Sequence, residues 1–436
     1  MFKSTTAIVS PVRGGLQPLS LQTSKGPSRR RFARAAVIEH SPRIYFVFWV
    51  LGVAGIFWPF VTVAVLLSRT PEARSELAHR HFVFVAAMLS VSLPVGILYF
   101  GLDLARLIGA LANISVWIFL ATAARSTFSS FLLSRRVLEL VALQGIVTFL
   151  AMRSFPRDFV LPIFSDSMNW APVGVRLLAT DRIVYWDWYG EVALRSSGIM
   201  GNPTWAGAFA AAGVLMGIDR LWRLRVDRVL ALLAIALGLY SIGFSLSRST
   251  MVALTVGIVL YFVVQCFRRG SVGRFASGLA VFAVLLVVLG IYGNQVSSSI
   301  IALNEERSGS LDTRGAIYEA TWAGIQQNST LLLGYGLKPR EQYLVASVAS
   351  HSTYLGLVYR GGPLALLALL SCFFALAVRG LRSSSSLGLS LLALVSIWSL
   401  VEDLDVGHLL PIVLALAIRL IQDCEDVFSR AEEGVD

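Results

Sequence analysis

The stretch SHSTYLGLVYRGG, which runs from Ser350 to Gly362, contains residue types that could carry out chemistry. His351 opens an otherwise apolar stretch, Tyr354 follows three positions later, and Arg360 lies deeper in the segment. An unprotonated imidazole is a competent general base near neutral pH. A charged residue inside an apolar segment is costly and indicates a functional site. The alternative is a histidine that only anchors the chain at the depth of the lipid headgroups.

Ser350 is predicted to cap the helix that follows, because serine is a favoured N-cap residue. This places His351 in the first helical turn, with Tyr354 one turn deeper on the same face. The positive end of the helix dipole disfavours a charged imidazolium there. We therefore expect His351 to be neutral.

A second candidate is Arg248, which lies in a break of about one residue between two apolar stretches of SLSRSTMVAL. A guanidinium beside several hydroxyls suits a phosphate, whereas the alternative is an arginine that extends to the headgroups. The three serines around it are Ser245, Ser247 and Ser249. Three further arginines fall on the same predicted side of the membrane: Arg195, Arg314 and Arg340. Arginines on a side where they are normally depleted indicate an anionic ligand.

The composition is that of a polytopic membrane protein. Of 436 residues, 56% are hydrophobic and only 14% are charged, against about 25% charged in soluble domains. The formal net charge of +11 is spread over short clusters between apolar runs, which excludes a nucleic-acid-binding face. Three cysteines far apart indicate neither a disulfide framework nor a zinc site.

The predicted fold is an all-α bundle of about 11–12 transmembrane helices, each of about 20 residues. Residues 1–43 are predicted to be a disordered basic cytoplasmic tail, 44–422 the bundle, and 423–436 a second cytoplasmic tail. The apolar spans are 44–68, 82–102, 105–124, 137–153, 201–218, 229–247, 249–267, 275–293, 351–378, 385–402 and 407–422. Because GVAGIFWPF interrupts the first span with Gly and Pro, we expect two short helices there, which keeps both termini inside.

Arginine-rich connections define the cytoplasmic side of the bundle. They lie at 125–136, 219–228, 267–274 and 379–386. The opposite side then carries two long extracytoplasmic loops, at about 153–200 and 294–350, and the acidic connection EDLDVGH at 402–408. In the second long loop, a short amphipathic helix is predicted to end near Asn328, with Arg314 near its start.

Taken in order, these segments resemble the O-antigen ligase and lipid-linked oligosaccharide polymerase superfamily. The similar motifs are RSSGIMGNPTWAG after the first long loop, SRST at the tight turn, Arg314 followed by Trp322, LLGYG at 332–336, and HSTYLGLVYRGG. The resemblance covers about residues 190–380. The family has Asn after its histidine, where this chain has Ser352.

The resemblance implies a glycosyltransferase that acts at the periplasmic face of the bacterial inner membrane. The donor would be an undecaprenyl pyrophosphate-linked oligosaccharide, and the acceptor a hydroxyl of another glycan or of lipid A core. Carried over by position, His351 is the catalytic residue and Arg248 and Arg314 bind the pyrophosphate. Arg195 and Tyr354 match as supporting residues, and Arg360 is added on physical grounds.

The residues present fit such a reaction without a metal or other cofactor. Arginines stabilise a departing pyrophosphate, and a neutral histidine accepts the proton of an acceptor hydroxyl. Asp403 and Asp405 form a D-x-D pattern that some sugar transferases use for metal binding, but we expect solvated loop acids. A glycosidase would need two facing carboxylates, and no convincing pair is visible.

Two alternatives of other kinds stay open. A lipid-linked sugar transporter or flippase would also bind its substrate with intramembrane arginines, but it should show internal repeats and broken helices at mid-membrane. A transferase that uses polyprenyl monophosphate sugars should carry an acidic base in an early outer loop, where only Asp103 is found. Within the preferred class, the long outer loops favour a polymerase of surface polysaccharide or exopolysaccharide over a ligase that uses lipid A core.

Overall fold

The computed structural model describes residues 29–68, 76–154, 184–185, 195–224, 227–269, 308–328, 332–339, 347–404 and 408–433. In these ranges the regular structure is helical apart from one antiparallel pair of two-residue strands, β1 (Val184–Tyr185) and β2 (Arg195–Ser196), and turns and loops join the elements. The helices are α1 (Arg29–Val50), α2 (Phe57–Leu67), α3 (Glu76–Phe100), α4 (Leu104–Arg125), α5 (Ser130–Ser154), α6 (Pro203–Asp219), α7 (Arg228–Ser245), α8 (Arg248–Arg269), α9 (Ser308–Gln327), α10 (Thr353–Gly361), α11 (Pro363–Arg382), α12 (Ser386–Trp398) and α13 (Leu410–Glu433).

The all-α polytopic fold is confirmed. Six of the described helices, α3, α4, α5, α7, α8 and α11, are long and apolar enough to cross a membrane. Two shorter apolar helical segments, Ala54–Leu67 and Ser386–Trp398, pack among them. The predicted span at 275–293 lies outside the described residues.

The first apolar span is divided, as the GVAGIFWPF sequence predicts. α1 ends at Val50, Gly52 adopts a left-handed φ of 75°, and α2 begins at Phe57 after a single 3₁₀ turn. Nε of Arg34 donates to the Val65 carbonyl at 3.2 Å, so the start of α1 lies beside the end of α2. The two helices therefore run in opposite directions, which is the arrangement that keeps the basic N-terminal side with the other basic connections.

Both predicted tail boundaries need correction. α1 begins at Arg29, within the segment assigned to the N-terminal tail, and α13 continues to Glu433, within the segment assigned to the C-terminal tail. The first extension is rich in Arg and Ala and the second in Glu, and these residues favour helix although the charged ones lower the local hydropathy. Hydropathy marks the apolar part of a helix and misses its polar ends.

Helix α6 lies at the centre of the bundle and is buried along almost its entire length. Its many Ala and Gly residues let neighbouring backbones approach closely, as is common between membrane helices. A Cβ atom on Gly213 would lie 2.6 Å from a methyl group of Val141 in α5, and one on Gly217 would lie 2.7 Å from Ile235 in α7. Larger residues at these two positions would push α5 and α7 away.

Three of the arginine-rich connections, at 125–136, 219–228 and 379–386, share one end of the bundle, here called the basic end. Nη2 of Arg220 donates to the Phe131 carbonyl at 2.7 Å, which joins the 125–136 and 219–228 connections. Arg379 pairs with Glu425 in α13 at 2.6 Å, and this brings the 379–386 connection alongside the C-terminal helix. The opposite end, here called the site end, carries the connections around residues 195–203, 245–248, 347–353 and 399–409.

The span predicted at 351–378 is two helices. Gly362, with a φ of 79°, separates α10 from α11, and Pro363 opens α11. The break leaves the last carbonyls of α10 without helical partners. The LLGYG segment supplies the missing partners: the amides of Tyr335 and Gly336 donate to the carbonyls of Tyr359 and Arg360, both at 2.8 Å.

Candidate functional site

His351 lies in a strained turn immediately before α10. The N-cap is Ser352, whose hydroxyl accepts from the Leu355 amide, so the prediction of Ser350 as the cap is wrong and His351 precedes the first helical turn. Ala349 and His351 have left-handed φ angles of 62° and 61°. For residues other than glycine such a conformation costs on the order of 1–3 kcal/mol each and is often found at functional sites.

The sequence analysis did not single out Glu402, which the fold places opposite His351. Its side chain is buried in the 399–404 turn, and the start of α10 fixes the turn. The amide of Thr353 donates to the carbonyls of Ser399 and Glu402, both at 3.0 Å, and its hydroxyl also donates to the Glu402 carbonyl. The hydrogen bonds from Thr353 therefore hold the backbone of Glu402 close to His351.

Three charged or titratable side chains meet at this point. Nδ1 of His351 lies 3.6 Å from Oε2 of Glu402, and Nη2 of Arg314 donates to Oε1 of the same carboxylate at 2.8 Å. Nδ1 is buried, so the 27% exposure of the His351 side chain belongs to the rest of that side chain. The arrangement places a carboxylate beside Nδ1 of the imidazole, slightly beyond hydrogen-bond distance, where it can orient the ring.

The Glu402 carboxyl is ionised in this setting. Burial by itself would raise its pKa, but His351 and the positive charge of Arg314 outweigh burial, and Thr204 adds a hydrogen bond. The pKa of Glu402 is therefore below its ordinary value. An acid that is ionised at neutral pH beside an imidazole is the partner that stabilises an imidazolium when the imidazole takes up a proton.

Arg314 comes from α9, the helix predicted in the second long loop. That helix ends at Gln327, next to the Asn328 boundary predicted from the sequence, and Arg314 lies in its second turn. Its side chain is 27% exposed, and within the described residues Glu402 is its one ion-pair partner. The hydrogen bond to Glu402 uses Nη2 alone of the nitrogens of the guanidinium group.

The tight turn at Arg248 is present and is held by the predicted serines. α7 ends at Ser245 and α8 begins at Arg248, so two residues separate the helices. Ser247 caps α8: its carbonyl accepts from the Met251 amide at 3.2 Å, and its hydroxyl accepts from the Thr250 hydroxyl at 2.8 Å. Arg248 thereby occupies the first position of a helix, where the dipole also favours an anion.

Arg195 supports this turn directly. Its Nε and Nη2 atoms both donate to the Ser245 carbonyl, at 3.0 and 2.9 Å. That carbonyl is at the C-terminus of α7, where backbone acceptors lack helical partners and a positive charge is favourable. Arg195 thus acts on the geometry of the Arg248 turn.

The first turns of α6 link the Arg248 turn to Glu402. The Thr204 side chain interacts with the Glu402 carboxylate, and a Cβ on Gly207 would lie 2.5 Å from Oγ of Ser245. Residues three apart share a helix face, so the two groups contact successive turns of α6. Asn202 caps this helix by accepting from the Thr204 amide at 2.9 Å. The N-terminus of α6 therefore lies between the Arg248 turn and Glu402, whose carboxylate binds Arg314.

Tyr354 and Arg360 have partners within the fold. The Tyr354 hydroxyl donates to the Ser396 carbonyl at 2.8 Å, which ties α10 to α12. Nη2 of Arg360 contacts both carboxylate oxygens of Asp403, at 3.0 and 2.9 Å, and the arginine is 3% exposed. The costly intramembrane charge is neutralised by this acid, which explains Arg360 without a ligand.

Asp403 is correspondingly a buried structural acid, and the expectation of a solvated loop residue is wrong. Nζ of Lys338, from the segment after LLGYG, lies 2.7 Å from its Oδ2. Both oxygens are engaged by cations, which leaves the D-x-D pattern poorly suited to a metal. Asp405 and Arg340 lie outside the described residues. Within the described ranges, no three His, Cys, Asp or Glu side chains form a group suited to a metal ion.

His408 is a further buried residue that sequence reasoning passed over. Its Nδ1 accepts from the Leu410 amide at 3.2 Å, so Nε2 carries the proton and donates to the Asp403 carbonyl at 2.9 Å. The ring contacts Trp205 and Trp398 edge to face. His408 therefore holds the backbone of the turn that presents Glu402. Because His408 lies far from the motifs along the chain, no sequence pattern indicated this role.

Comparison with known families gives a match over the middle of the chain. Residues 231–370 match the family model described as O-antigen ligase. The matched range includes Arg248, Arg314, His351, Tyr354 and Arg360, whereas Arg195 and Glu402 lie outside it. No curated protein matches the chain.

Proposed function

We propose that this chain, whose residues 231–370 match the family model described as O-antigen ligase, transfers a glycan from an undecaprenyl pyrophosphate donor to an acceptor hydroxyl. The observation that carries the proposal is the contact of His351 and Arg314 with one buried carboxylate, Glu402. The family match supports glycan transfer in general. The donor, the acceptor and the residue roles given below are our proposal.

His351 is the proposed base. Glu402 keeps the proton of the neutral ring on Nδ1, so that the lone pair of Nε2 faces the acceptor. The acceptor oxygen attacks the anomeric carbon of the donor sugar as the bond from that carbon to the pyrophosphate oxygen breaks. The hydroxyl proton passes to Nε2, and Glu402 stabilises the imidazolium that results. The distance of 3.6 Å is expected to shorten when substrates bind.

The arginines are proposed to stabilise the leaving group. A departing undecaprenyl pyrophosphate accumulates negative charge, and guanidinium groups bind phosphate oxygens through pairs of N–H bonds. Arg248, at the start of α8, and the remaining N–H groups of Arg314 supply this charge. Arg195 has the separate task of holding the Arg248 turn through Ser245.

The site is proposed to face the periplasm, from a multi-pass protein of the bacterial inner membrane. Support comes from the arginine-rich connections at the basic end, since such connections favour the cytoplasmic side. The site end would then face the side of the membrane on which the sequence predicts the two long loops. The predicted length of these loops favours polymerisation of surface polysaccharide or exopolysaccharide repeats, and transfer to lipid A core is the alternative.

The test is reconstitution of the purified protein in nanodiscs with an undecaprenyl pyrophosphate-linked oligosaccharide. A ladder of longer lipid-linked glycans formed from the donor alone, and resistant to EDTA, supports a metal-independent polymerase. Product that forms only when lipid A core is added supports the ligase. Donor that is moved across a bilayer but never consumed, with any acceptor, contradicts transfer and favours the transporter.

A further inference from the structure

Helix α9 presents a stripe of three polar residues to the His351 turn. Arg314, Tyr318 and Thr321 follow the spacing i, i+4, i+7, which puts them on one helix face. Arg314 binds Glu402, so the stripe begins at the acid that faces His351. The other two residues have no part in the mechanism described above.

Tyr318 and Thr321 bind the two strained residues of the turn. The Tyr318 hydroxyl donates to the His351 carbonyl at 2.7 Å. Oγ1 of Thr321 accepts from the Ala349 amide at 2.9 Å while it donates to the Ile317 carbonyl within its own helix. Ala349 and His351 are the residues with left-handed φ angles, so each contact is made to a residue whose backbone conformation is unfavourable.

The packing around the turn also indicates that α9 holds it in place. Ile317, Val348 and Ala349 are almost fully buried in a small apolar cluster that is separate from the main core. Within the turn, the Ser350 hydroxyl and amide both donate to the Ser347 carbonyl, at 2.6 and 3.3 Å. These local bonds close the turn around Ser350, whereas the side-chain hydrogen bonds to the backbone of Ala349 and His351 come from α9.

We propose that Tyr318 and Thr321 are positioning residues that hold the 349–351 turn in its left-handed conformation and so keep the His351 imidazole facing Glu402. The inference rests on the proposed function in assigning a reaction to His351. The structural part of the inference, that α9 holds this turn, does not depend on the proposed function. A displacement of the ring by about 1 Å is enough to lower turnover on the order of 100-fold.

The variants are Tyr318→Phe and Thr321→Val, which remove one hydroxyl each and keep the shape of the side chain. Thr321→Ser retains the acceptor and should restore most of the activity. Tyr240→Phe on α7 and Thr255→Val on the exposed face of α8 are matched controls away from the site. With the oligosaccharide donor described above, we expect kcat to fall about 10- to 100-fold in the two variants, with KM changed by less than about 3-fold.

Hydrogen–deuterium exchange of the peptide that covers residues 347–353 provides a readout independent of activity. Tyr318→Phe removes no amide acceptor, so faster exchange in this peptide means that the turn itself has loosened. We expect faster exchange in both variants and wild-type exchange in Thr321→Ser and in the controls. Replacing Ala349 by glycine, which adopts positive φ freely, should recover part of the activity of Thr321→Val.

Unchanged exchange in Tyr318→Phe and Thr321→Val, with kcat at the wild-type level, overturns the inference. If the wild-type protein consumes no donor, the proposed function fails, but the exchange experiment still decides whether α9 holds the turn. Faster exchange combined with a kcat loss that Thr321→Ser avoids supports both levels of the inference.

Discussion

Nδ1 of His351 lies 3.6 Å from Oε2 of Glu402, although the two residues belong to different connections at the site end of the bundle. The contact exists because the start of α10 binds the 399–404 turn through Thr353. It joins the histidine of the HSTYLG motif to an acid that has no motif of its own. The predictions below begin from this pair.

Glu402→Gln should lower kcat about 10- to 100-fold, because the amide has lost the charge that stabilises an imidazolium and can present its NH₂ group to Nδ1. KM for the donor should change much less, since Glu402 is not proposed to touch it. Steady-state kinetics on the purified variant tests this. Glu319→Gln, on the exposed face of α9, is the matched control. Wild-type turnover in Glu402→Gln would remove Glu402 from the mechanism.

The effect of pH on stability follows from the depressed pKa of Glu402. Above the ordinary carboxyl pKa of 4.5, the ionised acid contributes its full stabilisation to the folded state. As the pH falls below 4.5, the unfolded state takes up the proton first, and the contribution is lost as the pH passes through the folded-state pKa. The unfolding midpoint of wild type should thus exceed that of Glu402→Gln at pH 7, and the gap should narrow on acidification. A gap that widens instead would contradict the ionised, paired state.

Arg248→Ala should weaken donor binding by roughly 1.5–3 kcal/mol, the usual value for a hydrogen bond to a charged group. This corresponds to about a 10- to 150-fold rise in Kd. Binding of the undecaprenyl pyrophosphate donor in nanodiscs measures the change. Arg43→Ala, an exposed arginine paired with Glu139, is the control. Equal donor affinities of Arg248→Ala and wild type would show that Arg248 does not hold the pyrophosphate.

Arg360 and Asp403 should behave as a structural pair. Removing the charge of Arg360 with methionine leaves Asp403 buried with Lys338 alone, and breaking a buried ion pair typically costs about 3–5 kcal/mol. The double variant Arg360→Met with Asp403→Leu should lose less, because no uncompensated acid remains at that position. Chemical unfolding in detergent compares the two. A single variant of wild-type stability with reduced donor affinity would return Arg360 to the binding site.

Hydropathy and motif spacing anticipated much of this fold. The divided first span, the tight Arg248 turn and the end of α9 near Asn328 all follow from local signals: Gly and Pro, a run of serines, and amphipathic periodicity. The N-cap was misplaced because Ser350 and Ser352 are chemically equivalent, and the difference lies in the left-handed turn at His351. The break at Gly362 does carry a local signal, Gly361-Gly362-Pro363, but the apolar residues on both sides of it make the segment look like one span.

Glu402, Asp403 and His408 required the structure. An acidic pair in a short connection resembles a solvated loop, and its burial depends on Arg314, Arg360 and Lys338, which lie far away in the sequence. His408 is recognisable only through Trp205, Trp398 and the Asp403 carbonyl. Long-range pairing of this kind leaves no periodic or spacing signal in a single chain.

The most direct test of the account is a single-turnover measurement with wild type and His351→Ala, each preloaded with the undecaprenyl pyrophosphate oligosaccharide and then given acceptor. Loss of a general base is expected to slow transfer about 100- to 10,000-fold, while donor binding, measured on the same nanodiscs, stays within a few-fold of wild type. Transfer by His351→Ala at the wild-type rate, with donor bound equally well, would contradict the account.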